Sequence, residues 1–98
     1  MRIAYRDLAL ADLEQISVYL EQRSPAGARK VAQAIHAAIL AVAENPESAR
    51  RTSDSTVRVK VVSGYGYKVF YSIGPDAIEI LHIRHGARRP WFPERNKR

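Results

Sequence analysis

Cysteine is absent from this 98-residue chain, which excludes disulfides, thiol nucleophiles and thiolate metal sites together. Such a chain suits a reducing compartment, and a cytoplasmic location is expected. Long apolar runs are missing too. The longest mostly apolar stretch, Val31 to Ala43, is broken by Gln33 and His36, so neither a membrane span nor a secretory segment is expected. Histidine is scarce. His82 and His85 lie three apart on an expected strand and point to opposite faces, while His36 falls on an expected helix, so no metal site is expected. A P-loop, a dinucleotide-binding glycine pattern and a Ser/His/Asp set are all lacking, and with them any strong catalytic motif or cofactor.

What is present is one domain's worth of well-distributed apolar residues and a lopsided charge. The formal net charge is +6. Residues 1–49 carry five Lys/Arg and six Asp/Glu, whereas residues 50–98 carry eleven and four, a net of +7. A basic half of this kind attracts nucleic acid or an acidic protein over a screening length of about 8 Å at physiological salt.

The order of elements follows from periodicity and punctuation. Arg2 to Tyr5 reads as a short strand with Ile3 and Tyr5 on one face. Asp7 is placed to cap a helix over Leu8 to Gln22, with Leu13, Ile16, Tyr19 and Leu20 as its buried stripe. Ser24-Pro25 starts a second helix, whose inner face carries Val31, Ile35, Ala38, Ile39 and Val42 and which Asn45-Pro46 stops. The connection is tight, so the two helices pack as an antiparallel hairpin. Glu47 to Thr56 is polar and reads as a loop. Three strands follow, Val57 to Val62, Tyr67 to Ile73 and Ala77 to His85, joined by short glycine-bearing turns as an antiparallel meander. The expected fold is α+β, a helical hairpin on a small antiparallel sheet in the order β-α-α-β-β-β, with the partner of the first strand left open. The domain is expected to span residues 1–88, with 89–98 a basic, proline-interrupted tail.

Alternation sets Val57, Val59 and Val61 on one face of their strand and Arg58 and Lys60 on the other. Because the helices need an apolar surface, the valines are expected to face the core. Arg58 and Lys60 would then project from the uncovered face, with Lys68 and Arg84 or Arg88 as neighbours. Converging cations would hold a phosphate or carboxylate, arginine offering a bidentate fork. The same pattern also fits the solvated face of a half-buried sheet. Phe70 shares alternation with Lys68 and is expected on that outer face, stacked on a base or packed with Trp91 and Phe92. His85 is suited to act as a general base in RNA cleavage, or to end its strand bonded to backbone.

These pieces, taken in order, resemble the RelE/ParE superfamily of bacterial toxins over nearly the whole chain. Leu8 to Ile16 with Tyr19 is similar to its first helix, and Ala28-Arg29-Lys30-Val31 through Glu44-Asn45-Pro46 to its second. Val57 to Val61, Gly66-Tyr67-Lys68-Val69-Phe70-Tyr71 and His85-Gly86-Ala87-Arg88 resemble its strand motifs. The resemblance implies a toxin neutralised by a cognate antitoxin, here expected to carry an acidic or amphipathic toxin-binding segment. RelE-like members cut mRNA on the ribosome with clustered Lys and Arg, and on that pattern Arg58, Lys60, Lys68 and Arg88 would be the catalytic cations. ParE-like members poison DNA gyrase. Lysine at position 68 loses the guanidinium fork, and no tyrosine follows Tyr71 to supply the C-terminal tyrosine of the nucleases. The His85-Gly86-Ala87-Arg88 motif and the two long helices lean toward the ParE-like branch. For that branch, Arg58, Lys60, Lys68, Arg84, His85, Arg88, Trp91 and Phe92 are the expected target- or partner-binding residues. A basic module holding nucleic acid nonspecifically is the remaining alternative, and no membrane partner is expected.

Overall fold

In the computed structural model, which describes residues 1–86, the elements run β1 (Arg2–Tyr5), α1 (Asp7–Glu21), α2 (Pro25–Glu44), β2 (Arg50–Arg51), β3 (Arg58–Val61), β4 (Tyr67–Ile73) and β5 (Ala77–His85). The expected α+β order stands, with the two-residue β2 added inside the polar segment after α2. The sheet runs β1-β5-β4-β3-β2. Its meander is antiparallel, and β1 lies parallel to β5, pairing Arg2 with Ala77 through Tyr5 with Ile80. The helical hairpin supplies the long crossover that a parallel pair requires.

Helix α2 starts where its punctuation predicts. Ser24 caps it, its Oγ accepting the Gly27 N–H at 3.1 Å, and Pro25 fills the first position, where a missing N–H costs nothing. Its inner face buries Val31, Ile35, Ala38, Ile39 and Val42. Helix α1 begins one residue earlier than expected, because Arg6 rather than Asp7 is its N-cap. Arg6 is held from the strand side: its N–H donates to Ile80 O at 3.0 Å and its guanidinium meets Glu79. Asp7 then sits in the first turn, where the helix dipole favours an anion. Leu13, Ile16 and Leu20 pack on the core as expected, but Tyr19 is half exposed, with the Arg23 guanidinium 4.4 Å over its ring.

The main core lies between helices and sheet, around Val69, Tyr71, Ile78 and Ile80, each fully buried. The Tyr71 hydroxyl donates to Pro46 O at 2.5 Å, tying the loop after α2 to the sheet. Burial is the main influence on this phenol and raises its pKa above the ordinary 10.0, against the lowering effect of the nearby Arg58 cation. Tyr5 is raised by burial as well. A phenol raised in the folded state keeps its proton there while the unfolded chain loses its own. Stability is therefore full below about pH 10 and falls as pH climbs through the folded-state value. Urea titrations between pH 8 and 11 should show this decline, and Tyr71→Phe should flatten it in part.

Candidate target- and partner-binding surface

Two features of the sheet decide which side chains meet. The first is a β-bulge. Strands β4 and β5 pair Tyr67 with His85, Lys68 with Arg84, Val69 with Ile83 and Phe70 with His82, and then Tyr71 with Ile80. Leu81 is left over, and one extra residue reverses the parity of everything beyond it. Ile78 and Ile80 face the helices before the bulge; Ile83 faces them after it. Arg84 is thereby delivered to the opposite face, directly across from Lys68. His85 turns to the helix side, its ring edge-on to Tyr67 at 5.1 Å.

The second feature corrects the expected orientation of β3. Arg58 is paired with Tyr71 and Lys60 with Val69, and directly opposed residues share a face. Both partners belong to the helix-side core, so Arg58 and Lys60 face the helices and not the open side. The valines point the other way: Val57 and Val59 are buried with Phe70 and Leu81 in a second, smaller cluster, and Val61 is half exposed. Arg58 can lie on the inner side because the loop after α2 supplies acceptors. Its Nη1 donates to Ala49 O at 2.7 Å and to Glu47 O at 3.3 Å, leaving the side chain only 12% exposed. Arg58 is thus built into the fold as a tie for that loop.

Of the expected site residues, the structure brings Lys68 and Arg84 together on the outer face, and Phe70 lies on that face as expected. It separates them from Arg58 and Lys60. Arg88, Trp91 and Phe92 lie outside the described residues. Among the described residues, no cluster of His, Asp or Glu is placed to hold a metal ion, and no helix is long and apolar enough to cross a membrane.

One site residue escaped the sequence reading. Strand β1 pairs with β5 only as far as Ile80, so the C-terminal half of β5 has α1 for a neighbour instead of a strand. There Asp12 Oδ2 accepts the Ile83 N–H at 2.8 Å and lies 2.5 Å from His82 Nδ1, with both acidic and imidazole side chains nearly buried. The signal was present: Asp12 falls between Ala9 and Ile16 at helical spacing on the inner stripe, where a carboxylate requires a partner. Beside this clasp a cleft of about 890 Å³ opens, lined by Ile16, Leu20 and Val31 from the helices and by Tyr65, Arg84 and His85 from the strand side.

Comparison with known proteins places these features in a family. The sequence model of the family described as ParE toxin of type II toxin-antitoxin system, parDE, matches residues 3–90. A Sinorhizobium fredii protein classed by name among toxins, Y4kP, is 34% identical over 90 residues, covering 92% of each chain. Toxin RelE2 of Caulobacter vibrioides is 35% identical over 80 residues, covering 82% of this chain and 89% of that one. The fold is shared with a chain of the chromosomal ParDE toxin-antitoxin system from P. aeruginosa, at a TM-score of 0.74 and 23% identity, covering 87% of this chain and 95% of the other.

Proposed function

The chain belongs to the ParE toxin family of type II toxin-antitoxin systems, and from that premise we propose that it inhibits DNA gyrase and is neutralised by a cognate antitoxin. The observation that carries this reading is the composition of the open sheet face. Cleaving a phosphodiester without a metal calls for several cations converging on one phosphate. Here Val59 and Val61 of β3, and Val57 just before it, lie on the face of Lys68 and Arg84, while Arg58 and Lys60 lie on the helix side. A protein that poisons an enzyme by contact needs no such set. It needs a surface, and Lys68, Arg84 and the half-exposed Val61 supply one with charge and apolar area together. Gyrase inhibition sets the place of action in the cytoplasm, with the chromosome.

The test is a supercoiling assay with purified protein titrated against gyrase and linear DNA scored alongside. Loss of supercoiling with accumulation of linear DNA is expected. No effect at a large excess of folded protein, together with codon-dependent cutting of ribosome-bound mRNA, would overturn the reading.

A further inference from the structure

We propose that the segment following β5 folds back over the outer face of the sheet and seats Trp91 and Phe92, held between Pro90 and Pro93, on the apolar cluster of Val57, Val59, Phe70 and Leu81. The two aromatics are then anchors of the fold, and the cations around them, not the rings, are what a target meets.

The outer cluster is buried more deeply than its described neighbours account for. Both helices pack on the other side of the sheet, around Val69, Tyr71, Ile78 and Ile80. Among the described residues, the outer cluster draws only on β3 to β5 and on Val57 just before them. A sheet face of this kind leaves its side chains open to water from above. Val59 is nevertheless only 6% exposed and Phe70 only 7%. The His82 ring, stacked on Phe70 at a centroid separation of 6.3 Å, shields one flank. This burial exists within a single chain, so the cover is neither a second copy nor a partner and belongs to residues 87–98.

The exit point of the chain agrees. The Gly86 N–H donates to Gly66 O at 2.5 Å, and a Cβ built on Gly86 would lie 3.5 Å from Lys68 Cε. Lys68 is on the outer face, so the segment emerges on the side to be covered. Phe70 is paired with His82, four residues back along β5 and one strand over, or about 13 Å along and about 5 Å across. The five residues from Gly86 to Trp91 reach up to about 17 Å. Composition agrees as well. Trp91 and Phe92 are the only large apolar residues among 87–98, and the prolines on either side favour an extended course over a helix. The same segment carries Arg88, Arg89, Arg95, Lys97 and Arg98 against Glu94 alone, so seating the rings brings those cations to the face of Lys68.

Trp91 is the chain's single tryptophan, which makes the test direct. On the full-length protein, acrylamide quenching of the indole fluorescence is measured folded and in urea, and NOEs from the indole are collected with labelled valine, leucine and isoleucine methyls. Quenching several-fold weaker in the folded chain than in urea is expected, with NOEs to Val57, Val59 and Leu81. Phe70→Leu keeps an apolar residue in the seat but removes the ring under the indole, so quenching should rise partway to the urea value. Leu40→Ala, at an exposed position of α2, should leave it unchanged. Circular dichroism checks that both variants are folded, and the wild-type NOEs decide if Phe70→Leu is not. An indole as accessible in the folded chain as in urea would overturn the proposal. NOEs to Ile16 or Leu20 would seat Trp91 on the helix side and overturn it too, as would shielding that is lost on dilution, which would assign the cover to a second copy.

Discussion

Alanine in place of Asp12 is expected to lower the unfolding free energy by about 3 kcal/mol and the thermal midpoint by on the order of 15 °C. One carboxylate oxygen serves two groups at once, the Ile83 amide and the His82 imidazole, at a place where neither has easy access to water. Removing it strands the Ile83 amide and deprives the imidazole of its carboxylate. An unsatisfied buried donor costs about 1–3 kcal/mol, and a hydrogen bond to a charged group contributes about 1.5–3 kcal/mol. Against a total stability on the order of 10 kcal/mol for a domain of this size, the loss is large. Asp12→Asn keeps an oxygen acceptor for Ile83 and should lose roughly half as much. Urea denaturation gives the energies, and amide exchange gives the location, because Ile83 should lose protection first. If Asp12→Ala unfolded with wild type and Ile83 stayed protected, α1 would be held on β5 by apolar packing alone.

The helices and most strands were legible because their ends are chemically marked. Ser24-Pro25 and Asn45-Pro46 bracket α2, and Gly64, Gly66 and Gly74 punctuate the meander, the first two in the left-handed region that their turn requires. The facing of β3 was not legible. Alternation tells which residues share a face, never which face the helices cover, and this sheet buries apolar groups on both sides. Val57 and Val59 look like core valines and are buried, but in the smaller cluster. Arg58 looks like a surface cation, and only the tertiary placement of the Glu47 and Ala49 carbonyls makes an inner position tolerable. The bulge left a readable trace. The apolar residues of β5 run Ile78, Ile80, then Leu81, Ile83, a change from even to odd positions that marks one inserted residue. That single change decides whether Arg84 joins Lys68 or is turned toward the helices.

Glutamate in place of Lys68 is expected to abolish most gyrase inhibition while leaving the protein slightly more stable than wild type. Lys68 and Arg84 are directly opposed on an antiparallel pair, and like charges so placed destabilise a sheet. Reversing one of them converts the repulsion to an attraction of about 0.2–1 kcal/mol. A residue retained for folding would not respond in this direction. A residue retained for meeting an acidic target would, and the concentration needed for half-inhibition should rise about a hundredfold as the steering charge changes sign. Lys68→Glu combined with Arg84→Glu restores the like-charge pair, so stability should return to near wild type while inhibition falls further. Supercoiling assays and urea melts on the single and double variants check each arm. Full inhibition by Lys68→Glu would remove the open sheet face from the mechanism.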